Sequence, residues 1–351
     1  MMDQARRFRE GKSQPDTHSR ILLHRAPRLA GQVGEVLKNA KPDRRLTDRI
    51  ITSFRQGMPQ SGNSIWLNEF AQDKKVCVEI LMSGKVAAAE ALLTDPASSM
   101  LFYGFDNIHS RGVSHNKEAW WQNWMHGLAY DSLLQLAKAV GCIRVENPEP
   151  GVHPDESPDP EFLLNLLDRV FGFYIDFPNL YRGELGLLTS RGVASYRAVQ
   201  ALYQAWRIAT LAPNGRICEI GGGLGRTAYY AMKMGMKTYS IVDLPLTGVS
   251  QAYFLGRLMT ISLEGERQEP VHLMPPEAYG IECDLVANFD SLTEMDQSSA
   301  TAYLANAKAR TFLSINHEAN AFTVRDLTAG RRVHRSPCWL REGYVEELIQ
   351  L

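Results

Sequence analysis

Arg216-Ile-Cys-Glu-Ile-Gly-Gly-Gly-Leu-Gly-Arg-Thr227, followed by Thr238-Tyr-Ser-Ile-Val-Asp-Leu-Pro245, reads as a strand, a glycine turn, a helix and a second strand that ends in a carboxylate. Residues 217–220 form a short apolar run of strand type. Glycine at 221, 223 and 225 lets the backbone turn sharply and approach a ligand with no Cβ in the way. A helix beginning near Leu224 aims its unpaired N–H groups at that ligand. Asp243 closes the next strand, where an α/β fold places an acid on ribose hydroxyls. The combination predicts a cradle for a nucleoside-bearing cofactor.

Two residues turn the cradle away from a dinucleotide. Position 226, where a G-x-G-x-x-G fingerprint counted from Gly221 needs its third glycine, is Arg. Glu219, just before the turn, would meet a pyrophosphate with like charge, whereas it suits a cationic amino-acid head group. A glycine triplet alone would do no more than pack a strand on a helix; flanked by both acids, it signals a cofactor. These residues resemble motif I and the following acidic strand end of class I S-adenosylmethionine-dependent methyltransferases. The resemblance implies a Rossmann-like α/β fold: a mostly parallel seven-stranded sheet with helices on both faces, preceded by a helical N-terminal region. It also implies cofactor contacts from Glu219, Gly221, Gly222, Gly223, Gly225, Asp243 and Leu244, with the turn and Glu219 holding the methionine moiety and Asp243 the ribose.

The 351-residue chain is long enough for two domains or one decorated domain. Its 44% hydrophobic and 22% charged residues suit a buried core. A net charge of −1 argues against a chain-wide nucleic-acid footprint. Residues 1–60 carry 13 Lys or Arg against 6 Asp or Glu, which reads as a solvated, partly flexible basic arm rather than a binding patch. No apolar stretch approaches the roughly 18 to 20 residues that span a bilayer, so a cytoplasmic protein without membrane partners is expected. Five cysteines, widely spaced and never in a C-x-x-C pair, read as reduced, mostly buried thiols.

The pattern is helical throughout residues 65–140, with Gly141 as a stop, so residues 61–146 are expected to form the helical region. Five prolines fall in the fourteen residues 147–160, and the main boundary is placed at this linker. From residue 161 to 351 a methyltransferase-type domain follows. Asp159 is its first N-cap, Pro160 opens the helix and Gly172 ends it. A helix over 194–212 precedes the motif strand. Beyond Asp243 the alternation predicts helices near 250–260 and 300–309 and strands at 271–274, 284–288 and 311–316. Thr328-Ala-Gly330 reads as the turn of an antiparallel strand pair closing the sheet edge.

Ligands of open α/β sheets lie beyond the carboxyl ends of the strands. The fourth strand ends in Asn288-Phe-Asp-Ser-Leu-Thr-Glu-Met295 and the fifth in Ser314-Ile-Asn-His-Glu-Ala319, which gathers Asp290, Glu294, His317 and Glu318 near the glycine turn. Methyl transfer to an alcohol requires loss of the hydroxyl proton. Histidine, with a reference pKa of about 6.5, is the natural base, so His317 is nominated with Glu318 or Glu294 orienting it. The bland alternative is a histidine that caps its strand end. In a variant of the scheme, Asp290, Glu294 and Glu318 hold Mg²⁺, which lowers the pKa of a sugar diol. The third strand end, His272-Leu-Met-Pro275, lacks the acid that many relatives of this fold place near the adenine amine.

Looser phrases narrow the resemblance. Leu136-Ala-Lys-Ala-Val-Gly-Cys-Ile-Arg-Val-Glu-Asn-Pro148, Gly186-Leu-Leu-Thr-Ser-Arg-Gly192, Gln251-Ala-Tyr-Phe-Leu255 and Asp290-Ser-Leu-Thr-Glu-Met295 are similar to the sugar O-methyltransferase family from about residue 60 onward. That likeness implies a sugar hydroxyl, on a glycan or a glycosylated metabolite, as acceptor. Three of the six tryptophans, Trp120, Trp121 and Trp124, fall within five residues; such faces stack on sugars, although Trp120 and Trp124 at helical spacing more often pack a core. Arg191, Tyr196 and Arg197 are candidates for the acceptor cleft or for a helix surface. The rival functions are an NAD(P)-dependent oxidoreductase on the same sheet and a catalytically silent binding protein. The oligomeric state is left open.

Overall fold

The computed structural model describes residues 42–57, 72–145 and 158–351. Residues 147–157 of the expected linker and most of the basic arm lie outside them. The described residues divide into two compact units, one built on residues 42–57, 72–110, 204–338 and 343–351, the other on 111–145, 158–203 and 339–342. This partition follows packing rather than the proline-rich boundary, because helices before residue 110 group with the sheet.

The first unit opens with α1 (Arg44–Gln56), α2 (Lys75–Met82) and α3 (Val86–Thr94). Asp43 caps α1 by accepting from Leu46 N, and Leu46, Ile50, Ile51 and Phe54 recur at helical spacing to form its buried face. The expected arm therefore contains a packed helix, clamped at its outer side by two Arg49 hydrogen bonds to the Glu266 carboxylate at 3.0 and 2.6 Å. Helix is not continuous from 65 to 140: residues after Pro96 form a 3-10 turn and a run of turns through Phe105, where Gly104 takes φ 98°.

The second unit holds α4 (Ser110–His115), α5 (Ala119–Ala139), α6 (Pro160–Phe171), the hairpin β1 (Leu187–Thr189) and β2 (Gly192–Ala194), and the first turns of α7 (Tyr196–Leu211). The sequence signals for α6 hold: Asp159 accepts from Glu161 N and Phe162 N, and Gly172 ends the helix in the left-handed region. Trp121 is the buried tryptophan of its cluster, against which Trp120 packs edge-on. Arg191 donates to both oxygens of Asp168 at 2.7 Å and to Ile175 O, so its guanidinium braces this unit internally.

The sheet belongs to the first unit. Along the chain it comprises β3 (Arg216–Ile220), α8 (Arg226–Lys233), β4 (Thr238–Val242), α9 (Pro245–Gly256), β5 (Ile261–Leu263), β6 (Val271–Met274), β7 (Leu285–Phe289), α10 (Gln297–Ala305), β8 (Thr311–His317), α11 (Val324–Leu327), β9 (Val333–Pro337) and β10 (Tyr344–Gln350). Eight strands run in the order β5-β6-β4-β3-β7-β8-β10-β9, parallel except for the antiparallel β8/β10 and β10/β9 pairs. This is the Rossmann-like α/β architecture of the methyltransferase resemblance with one strand more than the seven expected. The additional strand is β5, fully buried and parallel to β6; α9 stops at Gly256 and frees the residues that form it. The edge pair is antiparallel as expected, but residues 324–327 are helical and the turn joining the pair lies at 338–343.

Side-chain alternation places Cys218 and Ile220 in a core with Val242, Val286, Phe312, Leu304 and Val324 on one face of the sheet. Glu219 therefore points to the other face. From β3 the chain winds outward through β4 and β6 and then crosses back to β7 on the other side of β3, and at that switch point the strand tips open a crevice.

Candidate functional site

The glycine turn sits at this crevice. Gly221 (φ 73°) is pinned by its N–H to Val242 O at 2.9 Å, and Gly225 N donates to Gly222 O before α8 begins. A Cβ at Gly221 would lie 2.1 Å from Ser291 Oγ, so only glycine fits there. Gly223 (φ 57°) is different: a Cβ there would meet nothing within 4 Å, which leaves open space above the turn.

Two carboxyls flank that space. Glu219 is 1% exposed beneath the turn and accepts from Tyr239 Oη at 2.9 Å. Burial pushes its pKa up to about 8, opposed by the Tyr239 hydrogen bond and reinforced by Asp243. Asp243, at the tip of β4, accepts from Leu244 N at 2.8 Å and from Gln251 Nε2 at 2.6 Å. Burial raises its pKa to about 7, against the hydrogen bonds from Leu244, Gln251 and Gly223 and the charge of Lys74. Lys74 is itself buried, its pKa lowered to about 8 by desolvation, with its ammonium 5.0 Å from the Phe105 ring centroid. Carboxyls whose pKa values desolvation has raised are stabilised as anions by an arriving cation, so this cradle suits a positively charged ligand. Arg226 turns away to pair with Asp106.

Beyond β7 and β8 the tips are tied together by amides. Asn288 Nδ2 donates to Ile220 O at 2.9 Å and to Ser291 Oγ at 2.6 Å, while its Oδ1 accepts from Leu292 N and from Asn316 Nδ2. This buried network fixes the loop carrying Asp290, which adopts φ 66°, a left-handed conformation unusual for a non-glycine residue. Strain of this kind concentrates where a side chain must be aimed.

Asp290, Glu294 and His317 come together: one ligand-type atom of each lies within 4.8 Å of the others. His317 Nε2 is 4.0 Å from Asp290 Oδ1, its ring packs edge-on against Tyr344, and its Nδ1 accepts from Ala319 N at 3.2 Å. That last bond leaves the proton of the neutral ring on Nε2, facing Asp290. Glu318 is not part of the group. Its carboxylate, in the bend just past the end of β8, pairs instead with Arg335 of β9 at 2.8 Å. Glu318 therefore neither orients His317 nor completes an all-carboxylate Mg²⁺ set; the donors brought together are two carboxylates and one imidazole, a mixture less suited to Mg²⁺ than oxygen donors alone.

The structure brings the turn, both flanking acids, Asp290, Glu294 and His317 to the strand tips where the sequence expected them, but with Nδ1 of His317 taken by Ala319 N the expected base has no free nitrogen acceptor in its neutral form. Two neighbours of Asp243 carry no sequence signal: Lys74, whose Asp-Lys-Lys context reads as surface, and Gln251, which helix α9 brings back to the carboxylate.

No family model and no curated protein matches this chain. Among solved structures it is similar to the glycopeptide N-methyltransferase MtfA at 16% identity, over 43% of this chain and 90% of that one, with a TM-score of 0.35. The magnesium protoporphyrin IX methyltransferase of Synechocystis PCC 6803, solved with bound SAM, aligns at 14% identity over 44% of this chain and 78% of its own, with a TM-score of 0.33. The methyltransferase domain of a bacterial Hen1 aligns at 10% identity over 43% of this chain and 98% of its own, with a TM-score of 0.34.

Proposed function

We propose that this chain binds S-adenosylmethionine over the glycine turn and transfers its methyl group to a hydroxyl of a sugar or glycosylated metabolite. The supporting observation is the turn itself: it leaves open space at Gly223 and is flanked by the buried carboxyl of Glu219 on β3 and the half-buried one of Asp243 at the tip of β4, at the switch point of the sheet. Bound there, the cofactor supplies an electrophilic methyl on a sulfonium. Asp243 accepts from the ribose hydroxyls, its carboxylate held in place by the bonds from Leu244 and Gln251. Glu219 and the backbone of Gly221, Gly222, Gly223 and Gly225 hold the amino-acid end, and Leu244 borders the nucleoside.

The acceptor hydroxyl loses its proton as the new O–C bond forms. Asp290 is the acceptor of that proton. His317 directs its Nε2–H edge at Asp290 and stabilises the carboxylate, a division of labour set by the Ala319 bond to Nδ1. Glu294 completes the polar pocket. Tritium transfer from methyl-labelled S-adenosylmethionine into a pool of free and glycosidic sugars tests the reading. Incorporation that disappears with Asp290→Asn supports it; incorporation into amines alone, or none with a folded protein, overturns the hydroxyl assignment.

A further inference from the structure

On the second unit, α6 keeps an apolar ridge uncovered. Its Leu163, Leu164 and Leu167 are buried where the helix packs on α5 and β1. Phe162, Leu166 and Val170 recur every fourth residue beside that face, and none of the three is buried. Phe162 is 54% exposed and Val170 48%. Side chains at i, i+4 and i+8 form the kind of ridge that seats in the groove of another helix. The hairpin does not fill that role, because Ser190 and Arg191 brace α6 through Glu161, Asn165 and Asp168, further round the helix.

Three observations point to a second copy of this chain as the occupant. The ridge is symmetric about its centre: a copy laid antiparallel across Leu166 sets each Phe162 against the other's Val170, large against small, and Leu166 against itself. Charge follows the same symmetry. The exposed Arg169, which has no ion-pair partner among the described residues, flanks the ridge on the side of Glu161. In the antiparallel pair it comes level with the other copy's acidic first turn, about 3 Å along the axis from that copy's Glu161. A parallel pair would instead set Arg169 beside Arg169 and align the two helix dipoles. Area sets the strength: twelve residues span about 18 Å, and two such helices bury less than the roughly 1,200 Å² of a standard interface, so the association is weak and reversible.

We propose that the chain self-associates through α6, as a twofold antiparallel helix pair centred on Leu166. The contact requires nothing of the cofactor site, so it stands or falls apart from the proposed activity.

The test is sedimentation equilibrium of the full chain from about 5 to about 500 µM, where a monomer–dimer equilibrium should appear. Val170→Asp, at an exposed position, should weaken the dimer at least about tenfold and leave the urea midpoint near that of the wild type. Arg169→Glu, which sets acid against acid, should weaken it about threefold at low salt. Leu166→Cys should form a disulfide-linked dimer under mild oxidation, since the twofold brings its two thiols together, whereas Val76→Cys, on the exposed face of α2 in the first unit, should not. A chain that stays monomeric to the top of the range overturns the inference. So does a dimer that Val170→Asp leaves intact, or one in which Leu166→Cys does not cross-link.

Discussion

Alanine at Gly223 and alanine at Gly221 should fail in opposite ways, and the contrast separates ligand contact from folding. At Gly223 a Cβ meets no protein atom within 4 Å, so the fold bears only the left-handed backbone, about 1–2 kcal/mol for an L-residue. The new methyl stands in the space assigned to the cofactor, and affinity should fall tenfold or more, about 1.4 kcal/mol at least. At Gly221 the Cβ lands 2.1 Å from Ser291 Oγ and 2.6 Å from Ser291 Cβ. That hydroxyl is fixed by Ile220 O and Asn288 Nδ2, so it yields only by breaking the network at the strand tips. Backbone strain with overpacking then costs on the order of 2–5 kcal/mol. Urea unfolding paired with S-adenosylhomocysteine titration reads both quantities. Gly223→Ala should bind poorly and fold nearly normally; Gly221→Ala should lose stability, partly restored by adding Ser291→Gly. A Gly223→Ala protein with wild-type affinity would show that nothing binds over the turn.

Asp290→Asn and His317→Ala should each lower kcat by about 10²–10⁴-fold with S-adenosylhomocysteine affinity within about twofold, whereas Glu318→Gln should leave kcat near wild type; a large Glu318 effect would refute its exclusion from the site. Glu219 and Asp243 stay protonated in the fold where the unfolded chain ionises them, so the stability this confers is complete below the ordinary carboxylate values of 4.5 and 3.8 and is lost as pH rises to about 8 and 7. Urea midpoints of the ligand-free protein should therefore fall from pH 5 to pH 8 in step with these two groups, and Glu219→Gln should flatten the upper part of the decline; an unchanged slope refutes the assignment. Exhaustive EDTA treatment should leave turnover unchanged, since Glu318 is held by Arg335; activity lost and then restored by Mg²⁺ would assign hydroxyl activation to a cation at Asp290 and Glu294.

The strand, the glycine turn and the acid at the tip of β4 were legible because their signals are local: a buried strand, glycines required by backbone geometry, and an acid one strand later. So were the caps of α6, where Asp159, Pro160 and Gly172 each act within one turn. What escaped depends on pairing across the chain. Three residues are too few to show a strand period, so β5 was hidden behind a helix that ends at Gly256. Glu318 and Asp290 look equivalent beside His317 until the β8/β10 register and Arg335 on β9 claim Glu318. The tautomer of His317 rests on a backbone N–H two residues away, and the packing of α1 rests on a stripe of four apolar residues in a segment whose charge reads as a mobile arm. Trp120 and Trp124 drew attention by spacing, yet Trp121 is the one buried.

The most direct measurement is a calorimetric titration of the purified full chain with S-adenosylhomocysteine, run beside NAD. One-to-one binding of the former, abolished by Asp243→Ala, with no heat from the latter, is the predicted result. A folded protein that takes up NAD, or that gives no heat with S-adenosylhomocysteine, would contradict the proposed activity and leave only the architecture.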